Sequence, residues 1–170
     1  MAKLSLLYGF LITFNSFSAT SVLPQRPAAY GGIVMTQEEL RFVELANSER
    51  ASRGLAQLAI DPLLVDVARQ HSLEMAQKHY FSHNSPTPGI RTPMDRYLAA
   101  AKRRPSWALV GENLFYCSIV DVDRGHLALM NSEGHRSNIL EDRFERVGVG
   151  ACTDSNGRFH VTQMFLAKTD

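Results

Sequence analysis

Between Thr36 and Ala101 the apolar positions keep a helical period. Leu40, Val43 and Ala46, with Phe42 beside them, recur at helical spacing up to Arg50, and Gly54 is a natural stop. Thr36-Gln37-Glu38-Glu39 opens this helix with a capping box, in which Thr and the Glu three residues on satisfy each other's free amides. Asp61-Pro62 opens a second helix, with Asp as N-cap and proline at the first helical position. Leu64, Ala68, His71 and Met75 share one of its faces through about Lys78, which places His71 on or beside the core. His79, at the fraying end, reads as a surface residue or C-terminal cap. Residues 81–91, with Pro86, Pro88 and Gly89, read as a loop, and Thr92-Pro93 starts a short third helix to about Ala101.

Further on the period changes. Residues 111–117 read as a turn feeding an extended segment. A fourth helix fits Val120 to about Asn131, with Leu127, Ala128 and Met130 on its apolar side despite Gly125. The last section is strand-like: Val147 to Cys152 and Phe159 to Phe165 flank Asp154-Ser155-Asn156-Gly157, and Asn-Gly between two β-prone runs is a strong hairpin signal. Helices followed by a small antiparallel sheet make an α+β domain.

The start of the chain reads as targeting rather than fold. Lys3 precedes an apolar run from Leu4 to Phe14, and Phe17-Ser18-Ala19 offers small residues for cleavage, so 1–19 is expected to be a signal peptide. The run is short for a membrane span, which needs about 20 apolar residues, so no transmembrane segment is expected in the mature chain. Residues 20–35, with Pro24, Pro27 and Gly31-Gly32, are expected to be a flexible leader, and 36–170 one domain. The expected location is secreted, extracellular or periplasmic.

Of the 18 basic residues only Lys3 lies in the first 19, so 17 acidic residues face an equal number of basic ones in the rest. That balance argues against nucleic acid as a partner, which rewards a basic excess. Cys117 and Cys152, in a chain bound for an oxidising compartment, are a possible disulfide.

Candidate chemistry rests on histidines in polar settings: His83 in a loop, His126 and His135 near helix ends, and His160 on a strand. No H-E-x-x-H helix, phosphate-binding loop, nucleophile elbow or dinucleotide fingerprint is present. Five motifs in order are more telling: Phe81-Ser82-His83, Gly111-Glu112-Asn113-Leu114, Met130 to Leu140 with Ser132-Glu133-Gly134-His135-Arg136-Ser137-Asn138-Ile139-Leu140, Val147-Gly148-Val149-Gly150, and His160-Val161-Thr162-Gln163-Met164-Phe165. Together they resemble the CAP superfamily of cysteine-rich secretory, antigen-five and pathogenesis-related-one proteins, and most of all its bacterial extracellular branch.

The resemblance implies an α-β-α sandwich, with a small antiparallel sheet between helical layers and a cleft lined by two histidines and two glutamates. His83, Glu112 and His160 match the first histidine, the first glutamate and the second histidine. The second glutamate falls by strict spacing at Ser132, so Glu133 is the nearest carboxylate and His135 a possible substitute. His83 and His160 would then be candidate ligands for zinc or another divalent metal, with Glu112, Glu133 and His135 as candidates for proton transfer or for orienting the imidazoles. Arg136 and Asn138 read as scaffold tying the helix end to the sheet. The function expected first is extracellular binding of a metal ion, a sterol, a lipid, a peptide or a cell-wall component. The alternatives are a metal-assisted, protease-like hydrolase using the same cleft, and a cell-envelope interaction protein with a vestigial cleft.

Overall fold

The computed structural model describes residues 29, 30 and 32–169, so the expected signal peptide and most of the leader lie outside the described residues. A two-strand hairpin, β1 (Ala29–Tyr30) and β2 (Ile33–Val34), precedes the first helix. Order begins earlier than expected here: Met35 is fully buried, Ile33 packs against the same core, and the Val34 carbonyl accepts from Arg69 at 2.7 Å. An apolar pair inside a proline- and glycine-bearing stretch is too short to show a period, so only packing reveals it.

Helix α1 (Gln37–Ala51) starts on the expected capping box, with both reciprocal bonds present. Glu39 does more than cap. Fully buried, it also takes the Arg69 guanidinium on both carboxylate oxygens, at 2.8 and 2.6 Å, and so joins α1 to α2 (Pro62–Lys78). Helix α2 begins at Asp61, whose carboxylate accepts from the Leu63 amide, and ends at His79 in the left-handed conformation (φ 54°), the C-cap that its position suggested. Helix α3 (Pro93–Ala100) opens on a second capping box, Thr92 with Asp95.

The sheet contains β3 (Ala59–Ile60), β4 (Trp107–Cys117), β5 (Arg146–Thr153) and β6 (Phe159–Thr169), in the order β3-β5-β6-β4. The β5–β6 hairpin and the β6–β4 pairing are antiparallel, but β3 lies parallel to β5, so the sheet is mixed rather than purely antiparallel. Two residues arriving between helices carry no alternation of their own, and no hairpin turn dictates their direction. Helix α4 (Val122–Asn131) ends where expected, and after extended Ser132 (φ −92°, ψ 124°) a separate α5 (Glu133–Leu140) follows, which the sequence reading did not foresee.

Helices cover both faces of the sheet, as the sandwich requires. On one face Val147, Val149, Val161 and Phe165 pack with Phe42, Val43 and Ala46 of α1 and with Leu129 and Ile139. The other face meets α2 and α3 through Leu64, Ala68, Tyr97, Met164 and Leu166. Gly148 and Gly150 pave this contact. A Cβ on Gly148 would lie 2.2 Å from the Leu64 carbonyl carbon, and one on Gly150 would lie 2.0 Å from the Arg69 amide nitrogen. The Val-Gly-Val-Gly pattern therefore lets helix backbone sit directly on strand backbone.

The possible disulfide is not formed, and both thiols are free. Cys152 pairs with His160 and Cys117 with Phe159, so strand β6 lies between them and the two side chains leave opposite sheet faces. Two strand spacings are about 9.5 Å, beyond the roughly 7 Å that a disulfide spans between Cα atoms.

Candidate functional site

Glu112 sits on β4, the edge strand, opposite Met164 and on the α2–α3 face of the sheet. Its carboxylate is buried and used on both sides: Oε1 accepts from His83 Nδ1 at 2.8 Å, and Oε2 accepts from Arg96 NH2 of α3 at 2.5 Å. His71 of α2 lies behind the pair, its Nε2 bonded to the Ser82 carbonyl at 3.0 Å and 4.0 Å from Glu112 Oε1. Burial holds the His71 imidazole below its ordinary pKa against the pull of Glu112, so it stands neutral beside the ion pair.

His83 belongs to a loop, yet the loop is pinned from two sides. Arg96 NH1 donates to the carbonyls of His83, Ile90 and Arg91, at 3.0–3.4 Å. On the far side Glu74 accepts from the Tyr80 hydroxyl, Thr87 and Lys78. Burial opposes the Glu74 charge, but these hydrogen bonds outweigh it and bring its pKa down to about 2. The result is a fixed backbone around a His83 side chain that is still 52% exposed. With Nδ1 turned to Glu112, Nε2 is the ring nitrogen left outside that bond.

Helix α5 closes the other side. Asn138 Nδ2 donates to the Glu112 carbonyl at 3.0 Å and to Asn113 Oδ1 at 2.9 Å, and Asn113 in turn donates to the His135 carbonyl and to Gln163. Arg136 bonds the Met130 carbonyl. Asn138 thus ties α5 to the sheet as its motif suggested, whereas Arg136 ties α5 to the end of α4. His135 itself is half-buried, and burial together with the nearby His83 holds its imidazole below the usual value.

Of the residues singled out in the sequence, the structure thus gathers His83, Glu112 and His135. Glu133 opens α5 with its side chain in solvent. His160 lies elsewhere: it pairs with Tyr116, four residues along β4 from Glu112, and its Nε2 is 3.4 Å from Asp154 Oδ2. At about 3.3 Å per residue that is some 13 Å along the strand, with the ring of Tyr116 against the imidazole. His126 is buried in α4 with neither ring nitrogen hydrogen-bonded to a described residue, 3.9 Å from Glu49. Arg96 and His71 are site residues that sequence reasoning missed. Their helical positions are those of ordinary core-flanking side chains, and nothing local marks them as partners of a glutamate on a distant strand.

A zinc centre takes three or four protein ligands converging at about 2 Å. Among the described residues no three of His, Cys, Asp and Glu converge to hold a metal ion. His83 Nδ1 is occupied by Glu112, and His160 faces Asp154. The donor set as placed does not fit such a centre.

A two-faced sandwich with a carboxylate-held histidine at its sheet edge defines the class, and the sequence comparison agrees with it. The chain belongs to the CAP, or cysteine-rich secretory protein, family, whose profile matches residues 43–165. It is 37% identical over 156 residues to the uncharacterized protein YkwD of Bacillus subtilis, covering 92% of this chain and 54% of that protein. It is 30% identical over 176 residues to the membrane protein YlbC of the same organism, covering 94% and 48%. The chain therefore spans about half the length of the curated relatives it matches. Among solved structures it is similar to an extracellular protein containing a SCP domain from Bacillus anthracis, with a TM-score of 0.66 and 34% identity over 77% of this chain and 40% of that one.

Proposed function

We propose that this domain is a secreted binding module that recognises its ligand through His83, by the ring nitrogen Nε2 that Glu112 does not engage. The observation that carries the reading is the combination of a half-exposed imidazole with a fully engaged carboxylate behind it. A side chain free in solvent loses rotamer entropy when it binds, and one already locked by Glu112 does not. The same geometry disfavours the hydrolase. Glu112 gives one oxygen to His83 and the other to buried Arg96, so it orients the imidazole and has no free face with which to activate water. Secretion is supported by the apolar opening segment and by the extracellular relative from Bacillus anthracis. No helix among the described residues is long and apolar enough to cross a membrane.

The test is histidine-ring NMR on the mature chain, titrated with zinc alone and with a fragment set of hydrogen-bond donors. We expect the His83 ring signals to move, His83→Ala to abolish the response, and zinc to bind weakly through a single imidazole. Tight zinc binding that also requires His160 would overturn this reading. So would fragments that leave the His83 ring unmoved, or peptide or ester hydrolysis that disappears in His83→Ala.

A further inference from the structure

The far end of the same sheet edge carries a second constellation. Tyr116 and His160 are directly paired across β4 and β6, their ring centroids 5.7 Å apart, and the Phe81 ring stands 5.5 Å from that of Tyr116. Phe81 is 50% exposed and Tyr116 45%. Two neighbouring aromatic rings left half in water beside a concavity mark a binding surface better than a fold requirement. The concavity holds about 210 Å³ and is lined by Met75, Tyr80, Asp154, Arg158 and His160 among others. His160 is more than nine-tenths buried, with Nε2 toward Asp154 and Nδ1 unpartnered among the described residues. The β5–β6 turn fixes that aspartate: its Oδ1 accepts from the Asn156 and Arg158 amides at 2.8 and 2.9 Å. Phe81 precedes His83 by two residues, so one loop runs along the edge from the aromatic end to the Glu112 end.

We propose that Phe81, Tyr116 and the Asp154–His160 pair form a saccharide-binding subsite, from which a short oligosaccharide reaches along the 81–83 loop to His83. A pyranose has an apolar C–H face and a rim of hydroxyls. The half-exposed rings, tilted 47° to each other, supply apolar faces for the first, and Asp154, Arg158 and His160 supply hydrogen-bonding groups for the second. A lipid chain fits worse, because it would strand those charged groups without water. A peptide added to the β4 edge fits worse too, because Asn138 already occupies the Glu112 carbonyl that such a strand would use. The inference extends the reading of His83, but its residues are different ones, and the readouts that decide it are theirs.

The experiment titrates the mature chain with β-1,4-linked tetrasaccharides of N-acetylglucosamine and of glucose, with tetra-alanine and with laurate, following the ring signals of Phe81, Tyr116 and His160. A tetrasaccharide is expected to move all three. Tyr116→Ala and Phe81→Ala should each weaken binding about tenfold, the loss of one well-packed contact, without lowering the thermal midpoint. Tyr116→Phe should retain binding. Response to neither tetrasaccharide, an undiminished response in Tyr116→Ala, or a response only to peptide or laurate would each overturn the proposal. If the tetrasaccharide moves these rings but leaves His83 unmoved, the subsite stands and the role given to His83 falls.

Discussion

The domain buries two arginines in different company. Arg50, at the end of α1, donates to four main-chain carbonyls, those of Ala56, Ile139, Glu141 and Phe144, at 2.7–3.2 Å. No carboxylate among the described residues touches its guanidinium; burial lowers its pKa, and Asp142 and Glu141 oppose that from a distance. Arg96, at the start of α3, also gathers three carbonyls, but spends its remaining amino group on Glu112, which carries His83. Both arginines tie loops to helices. Only the second passes its charge through a buried carboxylate to an imidazole that meets solvent. The difference separates a staple from a site: a staple ends in groups with no further chemistry, whereas the Arg96 chain ends on a half-exposed imidazole.

The largest effect should come from the staple. Arg50→Met leaves four carbonyls without their donor around α5 and the 141–144 turn. It should cost about 4 kcal/mol and lower the thermal midpoint by about 10 °C, measured by calorimetry. A change of only a degree or two would mean that the carbonyls find water, and the contrast would lose half its force.

Next comes the site. Glu112→Leu leaves the Arg96 charge buried without a counter-ion and should cost about 3 kcal/mol. The double variant Glu112→Leu with Arg96→Met should recover much of that by chemical denaturation, since an apolar pair can replace a buried ion pair. It should still leave the His83 ring mobile by NMR. Recovery of stability together with an immobile His83 would show that the ion pair does not position the imidazole.

A third contrast is in pH. The His71 and His135 imidazoles beside the Arg96 centre are held below their ordinary value, as is His126 between α1 and α4, each first by burial. A histidine with a depressed folded pKa binds its proton more readily in the unfolded chain. Its neutral form therefore favours folding above about pH 6.5, and stability falls as pH drops below that value toward the folded pKa. The amides of residues 80–91 should lose hydrogen-exchange protection between pH 7 and pH 5.5 before those of 139–144, and His71→Gln should flatten the trend. Equal loss in both segments would remove His71 as its cause.

The smallest effect is expected of the residue that matters most to binding. His83→Ala removes an exposed side chain and should change stability by less than about 0.5 kcal/mol, while abolishing the ligand response. A large loss of stability would make His83 one more brace of the loop.

Much of this was legible in the chain before any coordinates. The helix starts at Thr36, Asp61 and Thr92 follow from caps and prolines whose chemistry is local, and the hairpin follows from Asp154-Ser155-Asn156-Gly157. The motifs around His83, Glu112 and Asn138 pointed to the right neighbourhood. What stayed hidden was anything decided by a partner far along the chain. The helix Glu133–Leu140, which follows extended Ser132, was not foreseen beyond the expected end of the fourth helix at Asn131. Cys117 and Cys152 looked like a pair until β6 came between them.

The sequence by itself determined the helices, the turn, the glycine-paved strand and the family pattern, because each is written in short-range sterics and hydrogen bonding. Tertiary structure alone decided that Arg96 and His71 stand behind Glu112, and that His160 turns to Asp154 instead of to His83. Those are choices among distant polar groups, settled only when burial removes water as the competing partner and each charge must take the neighbour that the fold brings within reach.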